Sequence, residues 1–259
     1  MIGVTGSKGV LGKILLRKLI GLGEIDCFSG DIRKKEDILE WIGGKFFDVI
    51  FHLAAIVPVA EVNSDPFEAY NVNVGGTINL LDSLREANIK PWLLYSSSSH
   101  VYKSSNKQIC EMDPIKPLNT YGESKHFAER ICDGFRESYG SRICIARIFS
   151  CYHETQKPPS LYPSIKLRLC SEDLTEPFFL RGAKSIRDIQ NAEVAIDKII
   201  KLMQMRYDGT INIGSGKGIS IEDFVRNLSS LKLTISFDPK EEQSFLVADI
   251  SKLNKVLSS

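Results

Sequence analysis

Tyr121 and Lys125 stand four residues apart in the stretch Asn119-Thr120-Tyr121-Gly122-Glu123-Ser124-Lys125. If that stretch is helical, both side chains leave one face and their ends can meet in one cleft. A phenol loses its proton near pH ~10, and a nearby ammonium favours the phenolate, so such a pair can act as acid or base towards a bound oxygen. Taken alone, the spacing fits an ordinary amphipathic helix better. The order of signals before it changes the balance. The apolar residues 91–95 run into the hydroxyls Ser96, Ser97, Ser98 and Ser99, then His100, Val101 and Tyr102. A strand ending in hydroxyls would therefore precede the helix start.

These side chains need elements that bring them to one place. The chain opens on Ile2-Gly3-Val4-Thr5, a short apolar strand, which runs into Gly6, Gly9 and Gly12 and the helical pattern Leu11, Ile14, Leu15, Leu19. Glycines between a strand and a helix let backbone N–H groups approach a pyrophosphate, and the helix N-terminus favours negative charge. Asp48 to Ala55 is a continuous apolar run, as expected of a strand buried on both faces of a parallel sheet. His52 within it reads as a hydrogen-bonded core residue. Asp65-Pro66 reads as a helix start.

The G-x-x-G-x-x-G turn, the S-S-x-x-V-Y element and the Tyr-x-x-x-Lys pair together resemble the extended short-chain dehydrogenase/reductase family, in particular its nucleotide-sugar epimerases and 4-ketoreductases. The resemblance covers nearly the whole chain. It implies an α/β Rossmann fold with a doubly wound parallel sheet. Residues 1–150 would bind the dinucleotide, and 151–259 would mainly form a small C-terminal substrate lobe, part of the chain returning to the sheet. One strand-helix step is missing between the first helix and Gly30-Asp31-Ile32-Arg33, which looks like the family's segment after the third strand. Residues 143–149 would then be the sixth parallel strand.

The resemblance also assigns roles. Ser98, three residues before Val101, Tyr121 and Lys125 would be catalytic, with Lys125 binding the nicotinamide ribose and lowering the Tyr121 pKa. Gly6, Lys8, Gly9, Gly12, Ala54, Ala55, Ser96 and Asn73 would bind or orient the cofactor. Asp31 and Ile32 would hold the adenine, and Asp31 could also cap a helix from Lys34 to Trp41. With the usual ribose acid gone and Lys8 in the glycine loop, NADP(H) is expected, NAD being the alternative. His100 replaces an acid that the family's dehydratases carry, which argues against 4,6-dehydration and leaves His100 to touch substrate. Ser150 stands where the family has an Asn on the substrate diphosphate. Arg187, in an R-D pair, is either a phosphate ligand or the structural partner of Asp188 or Glu193. Residues 151–186 are expected to form a lobe built from loops. The expected activity is reduction of a 4-keto nucleotide-sugar, with an NAD-retaining epimerase as rival and a non-catalytic sensor or scaffold as a third reading.

Composition narrows the classes. With 33 basic and 32 acidic side chains, the net charge of +1 gives no field for nucleic acid. No apolar run approaches the ~20 residues of a membrane span, so a soluble cytoplasmic protein is expected, with a homodimer as the candidate assembly. Six cysteines lack metal spacing and read as free thiols, with no metal expected.

Overall fold

The structure, a computed structural model, describes residues 1–258. Along the chain, β1 (Ile2–Thr5), α1 (Val10–Leu19), β2 (Ile25–Cys27), α2 (Lys35–Ile42) and β3 (Val49–His52) are followed by α3 (Val59–Ser64), α4 (Pro66–Tyr70), α5 (Gly76–Glu86) and β4 (Trp92–Ser98). Then come α6 (Thr120–Tyr139), β5 (Ile143–Ile148), β6 (Ser150–Tyr152), α7 (Leu161–Ser171), β7 (Phe178–Phe179), β8 (Ile186–Asn191), α8 (Ala192–Gln204) and β9 (Gly209–Ile213). The chain closes with β10 (Gly218–Ser220), α9 (Ile221–Leu228), β11 (Ile235–Ser236), β12 (Phe245–Leu246) and α10 (Ser251–Leu257).

Six strands in the order β2-β1-β3-β4-β5-β9 form one parallel sheet. Both faces are covered, which is why its strands read as unbroken apolar runs. Trp92 and Leu94 of β4 enter a core built with Ile14 and Leu15 of α1, Ile196 and Ile199 of α8 and Leu253 of α10. Their neighbours Leu93 and Tyr95 enter the opposite core, with Ile38 and Trp41 of α2, Leu80 and Leu84 of α5 and Ala128 and Cys132 of α6. Because β2 and β3 lie on opposite sides of β1, the connections diverge there and leave a crevice at the carboxyl ends of the strands.

The shortening expected from the sequence is present: β2 is the sheet edge, and residues 28–34 pass directly to α2. Consequently the strand at 143–148 is the fifth of the sheet in chain order, not the sixth. Asp31 does not cap α2. Lys34 holds that position without a side-chain bond, and Asp37 of the helix instead reaches back to accept from the Asp31 amide at 2.7 Å. Asp65 does cap α4, accepting from the Glu68 amide at 3.0 Å.

Beyond β5 the chain builds a lobe around β8, which pairs with β6, β10 and β12, while β7 pairs with β11. Its core joins Ile165, Phe178, Leu180, Ile221 and Val225. The stretch expected to be loops contains the 11-residue helix α7. Pro163 falls in its first turn, where backbone N–H groups have no intrahelical acceptor and proline is tolerated. Helix α8 and strand β9 return to the main sheet. All six cysteines are free thiols, Cys132 and Cys144 buried and Cys170 exposed. Among the described residues no helix is long and apolar enough to cross a membrane.

Candidate active site

A cleft of about 1000 Å³ occupies the crevice between sheet and lobe. Its floor is made by the turn after β1, by Leu53, Ala54 and Ala55 after β3, and by Ser96 to Ser99 at the end of β4. Gly6 has φ +70°, and a Cβ there would lie 2.5 Å from the Ala54 amide nitrogen. A Cβ on Gly12 would meet the Gly6 carbonyl oxygen at 2.3 Å, so helix α1 starts directly on the turn. Gly9 differs: its Cβ would enter open space, with only the Gly6 oxygen near, at 3.3 Å. It also precedes a helix with no side-chain cap and no acid in its first turn, among the described residues, so the first N–H groups of α1 are left for an anion. These features fit a dinucleotide diphosphate. Lys8, exposed at the rim, has no ion-pair partner among the described residues.

The end of β4 and the start of α6 meet at this floor. Asn119 caps α6, its Oδ1 accepting from the Gly122 amide at 2.9 Å. Gly122 presses on the preceding turn so closely that α6 can begin only beside residues 98–100. Ser98, Tyr121 and Lys125 are thereby brought together, all buried and all lining the cleft. Ser98 Oγ accepts from the His100 amide at 3.2 Å, which leaves its own proton to donate. Burial pushes the Tyr121 phenol up to about 12, and only the Ser98 hydroxyl pulls it back. The expectation that Lys125 lowers this pKa is not met: burial and the Ser98 hydroxyl set it, and the Lys125 ammonium lies 4.5 Å from the centre of the Tyr95 ring. Burial lowers Lys125 itself to about 8.

Two buried networks fix the surroundings. His52 Nδ1 meets Thr5 Oγ1 at 2.7 Å and its Nε2 meets Thr77 Oγ1 at 3.0 Å, while the Thr77 hydroxyl donates to the Asn73 carbonyl at 2.7 Å. The Thr77 oxygen must then accept from Nε2–H, and burial takes the ring's pKa to about 3 and keeps it neutral. One turn after Lys125, Glu129 accepts from Ser97 at 2.5 Å and from Arg147 at 2.8 and 2.9 Å. This pair ties α6 to β4 and β5 beneath the serines. The sequence motifs assign no role to Asn119, Gly122, Tyr95 and Glu129. Asn119 three residues before the Gly122 amide is a cap signal, and Glu129 four residues after Lys125 shares its face. Tyr95 carries no such mark.

The remaining candidates separate. Ser96 lines the cleft and donates to the His52 carbonyl at 3.0 Å; Ser150, first residue of β6, and His100 also line it. Asn73 lies behind the cleft, accepting from the Ile56 amide at 2.8 Å and donating to Ser124 at 3.0 Å, and so joins the segment after β3 to α6. Asp31 and Ile32 lie outside the lining. Asp31 is held by Arg33, which lowers its pKa to about 2, and Ile32 packs against Gly76. Arg187 pairs with neither Asp188 nor Glu193. It donates to the Ser244 carbonyl and hydroxyl at 3.0 and 2.6 Å, and Asp188 instead accepts from the amides of Ser215 and Gly216.

Residues 4–257 match the family described as GDP-mannose 4,6 dehydratase. Over 219 residues the chain is 31% identical to an uncharacterized UDP-glucose epimerase, YtcB, of Bacillus subtilis, covering 81% of this chain and 68% of that protein. It is 29% identical to a GDP-6-deoxy-D-talose 4-dehydrogenase of Aggregatibacter actinomycetemcomitans, covering 99% of this chain and 90% of the relative. Among solved structures, RMD from Pseudomonas aeruginosa complexed with NADPH superposes with a TM-score of 0.87 at 23% identity, over 99% of this chain and 92% of that one. The Thermus thermophilus UDP-glucose 4-epimerase with NAD superposes with a TM-score of 0.83 at 20% identity, over 98% and 92%. With a Rossmann sheet, a glycine turn at its switch point and a serine, a tyrosine and a lysine in one cleft, the chain belongs to the GDP-mannose 4,6-dehydratase family, within the NAD-dependent nucleotide-sugar epimerase/dehydratases of the extended short-chain dehydrogenase/reductases.

Proposed function

We propose that this enzyme reduces a 4-keto nucleotide-sugar with NADP(H). The observation that carries the reading is the convergence of Ser98, Tyr121 and Lys125 on the cleft floored by the Gly6–Gly12 turn. When bound, the cofactor supplies the hydride. Gly9 and the open N-terminus of α1 hold its diphosphate, Ala54, Ala55 and Ser96 lie against it, and Lys125 holds the nicotinamide ribose. The Ser98 hydroxyl donates to the ketone oxygen and fixes it against Tyr121. The phenol, kept neutral by burial, donates its proton to that oxygen as the carbon is reduced. Arg187, a cation without a carboxylate partner among the described residues, is the candidate for substrate phosphates. Asp31, Ile32 and Asn73 stay outside these contacts: Arg33 holds Asp31, Ile32 packs on Gly76, and Asn73 ties the segment after β3 to Ser124 of α6.

The choice of NADP(H) rests on the end of β2, where Phe28-Ser29-Gly30 offers no acid for a ribose, and on Lys8 at the rim. A second reading, an epimerase that keeps NAD bound through oxidation and re-reduction, draws on relatives named as UDP-glucose epimerases. The exposed apolar side chains Phe127 and Ile131 on α6, 50% and 37% accessible, support a homodimer through that face. Mixing the purified protein with reduced cofactor and a 4-keto nucleotide-sugar decides between the two. Net loss of reduced-nicotinamide absorbance, faster with NADPH than NADH, is expected. Interconversion of two nucleotide-sugars without any net cofactor change would establish the epimerase instead. Lys8→Ala should weaken NADP(H) about 3- to 10-fold and leave NAD(H) unaltered, the range of one partly exposed charge-assisted contact.

A further inference from the structure

His100 is held on every side but one. Its amide donates to Ser98 Oγ at 3.2 Å, and its carbonyl accepts from the Leu118 amide at 3.0 Å. Its ring meets Tyr121 edge to face, with centroids 5.6 Å apart. The Asn119 side chain lies 3.0 Å from its Nδ1.

The proton on this ring follows from the cap. The Gly122 amide can only donate, so the Asn119 atom that it meets must be the carbonyl oxygen. The atom facing His100 is then the NH2, which also can only donate. Nδ1 must therefore present its lone pair, and the proton of the neutral ring sits on Nε2. A carbonyl facing the ring would favour the imidazolium; the amide NH2 does not, and burial opposes charge as well. Among the described residues, nothing hydrogen-bonds Nε2, and His100 lines the cleft beside Tyr121.

Resting on the function proposed above, we infer that His100 is a specificity-determining donor: its Nε2–H, set by Asn119 as positioning residue, binds the oxygen on the carbon next to the reacting one, C3 of a 4-keto sugar. Of the two ring neighbours of C4, only C3 carries its own exocyclic oxygen, since C5 bears the ring oxygen. A neutral donor tolerates either a hydroxyl or a carbonyl there and requires no charge on the substrate.

Two measurements on the full-length protein test this. Nitrogen-15 spectra of histidine-labelled protein, which has four histidines, report the tautomer. An Nε2–H signature for His100 at neutral pH is expected, and Asn119→Asp, which keeps a cap but turns an acceptor towards the ring, should move the proton to Nδ1. An Nδ1–H or imidazolium wild-type ring, or an N119D spectrum unchanged at His100, would overturn the inference. The second measurement is a cycle of wild type and His100→Phe against nucleotide-sugars with and without the C3 oxygen. Either change alone should lower kcat/KM about tenfold, the two together no further, and His100→Gln should recover part of the loss. Losses that multiply would overturn it. A wild type that turns over no nucleotide-sugar would instead sink the functional reading, and the substrate assignment with it.

Discussion

Gly122 and the His100 carbonyl are in direct contact: a Cβ on Gly122 would stand 2.1 Å from that oxygen. The atom it would strike is backbone, accepted into the Leu118 hydrogen bond, and cannot swing away. Gly122→Ala must push α6 off the turn that carries Ser98. Turnover should fall at least about tenfold, because reacting groups must sit within a few tenths of an ångström of their working positions. Cofactor affinity, which rests on the Gly6–Gly12 turn as well as on Lys125 of α6, should fall less than turnover, as read by titration.

The glycine turn itself divides into fold and function. Gly6→Ala would force an L-residue to φ +70° and against the Ala54 amide, so a lower melting temperature is expected. Gly9→Ala meets almost nothing in the protein and should melt like wild type. Its methyl group enters the space assigned to the diphosphate, so dinucleotide affinity should drop about tenfold or more, as read by thermal shift with and without NADP(H).

Buried Lys125 trades stability for function. Its folded pKa of about 8 lies below the unfolded value of 10.5. Below pH 8 the ammonium is charged in both states and its burial penalty is fully present; between 8 and 10.5 the native state has released the proton and stability rises with pH. The full penalty is about 3 kcal/mol, and the Tyr95 ring offsets part of it. Lys125→Met should therefore be more stable than wild type at pH 7 by about 1–2 kcal/mol in urea melts, with the advantage shrinking as pH rises through that window. A variant less stable at pH 7, or an advantage that grows above pH 8, would contradict this.

Much of the fold was legible because its signals are local. The strand–glycine–helix opening, the apolar run through His52, the hydroxyls after residue 95 and the Tyr121–Lys125 spacing each lie within a dozen residues, and the parallel sheet brings strand ends together without further information. What could not be read depends on contacts distant in sequence. Arg187 finds Ser244 57 residues away, and Asp188 anchors the turn at 215–216. Lys125 reaches the Tyr95 ring, and burial rather than a cation sets the Tyr121 pKa. The cap expected of Asp31 fails for a different reason: Arg33, two residues on, captures its carboxylate in a loop whose shape no periodicity reveals.

The central claim concerns the proton donor, and Tyr121→Phe addresses it with the loss of one oxygen atom. Turnover of a 4-keto nucleotide-sugar by this variant should fall about 10²- to 10⁴-fold, while its NADP(H) affinity, measured in parallel, stays within twofold of wild type. A Tyr121→Phe enzyme that turns over substrate at the wild-type rate would contradict the account.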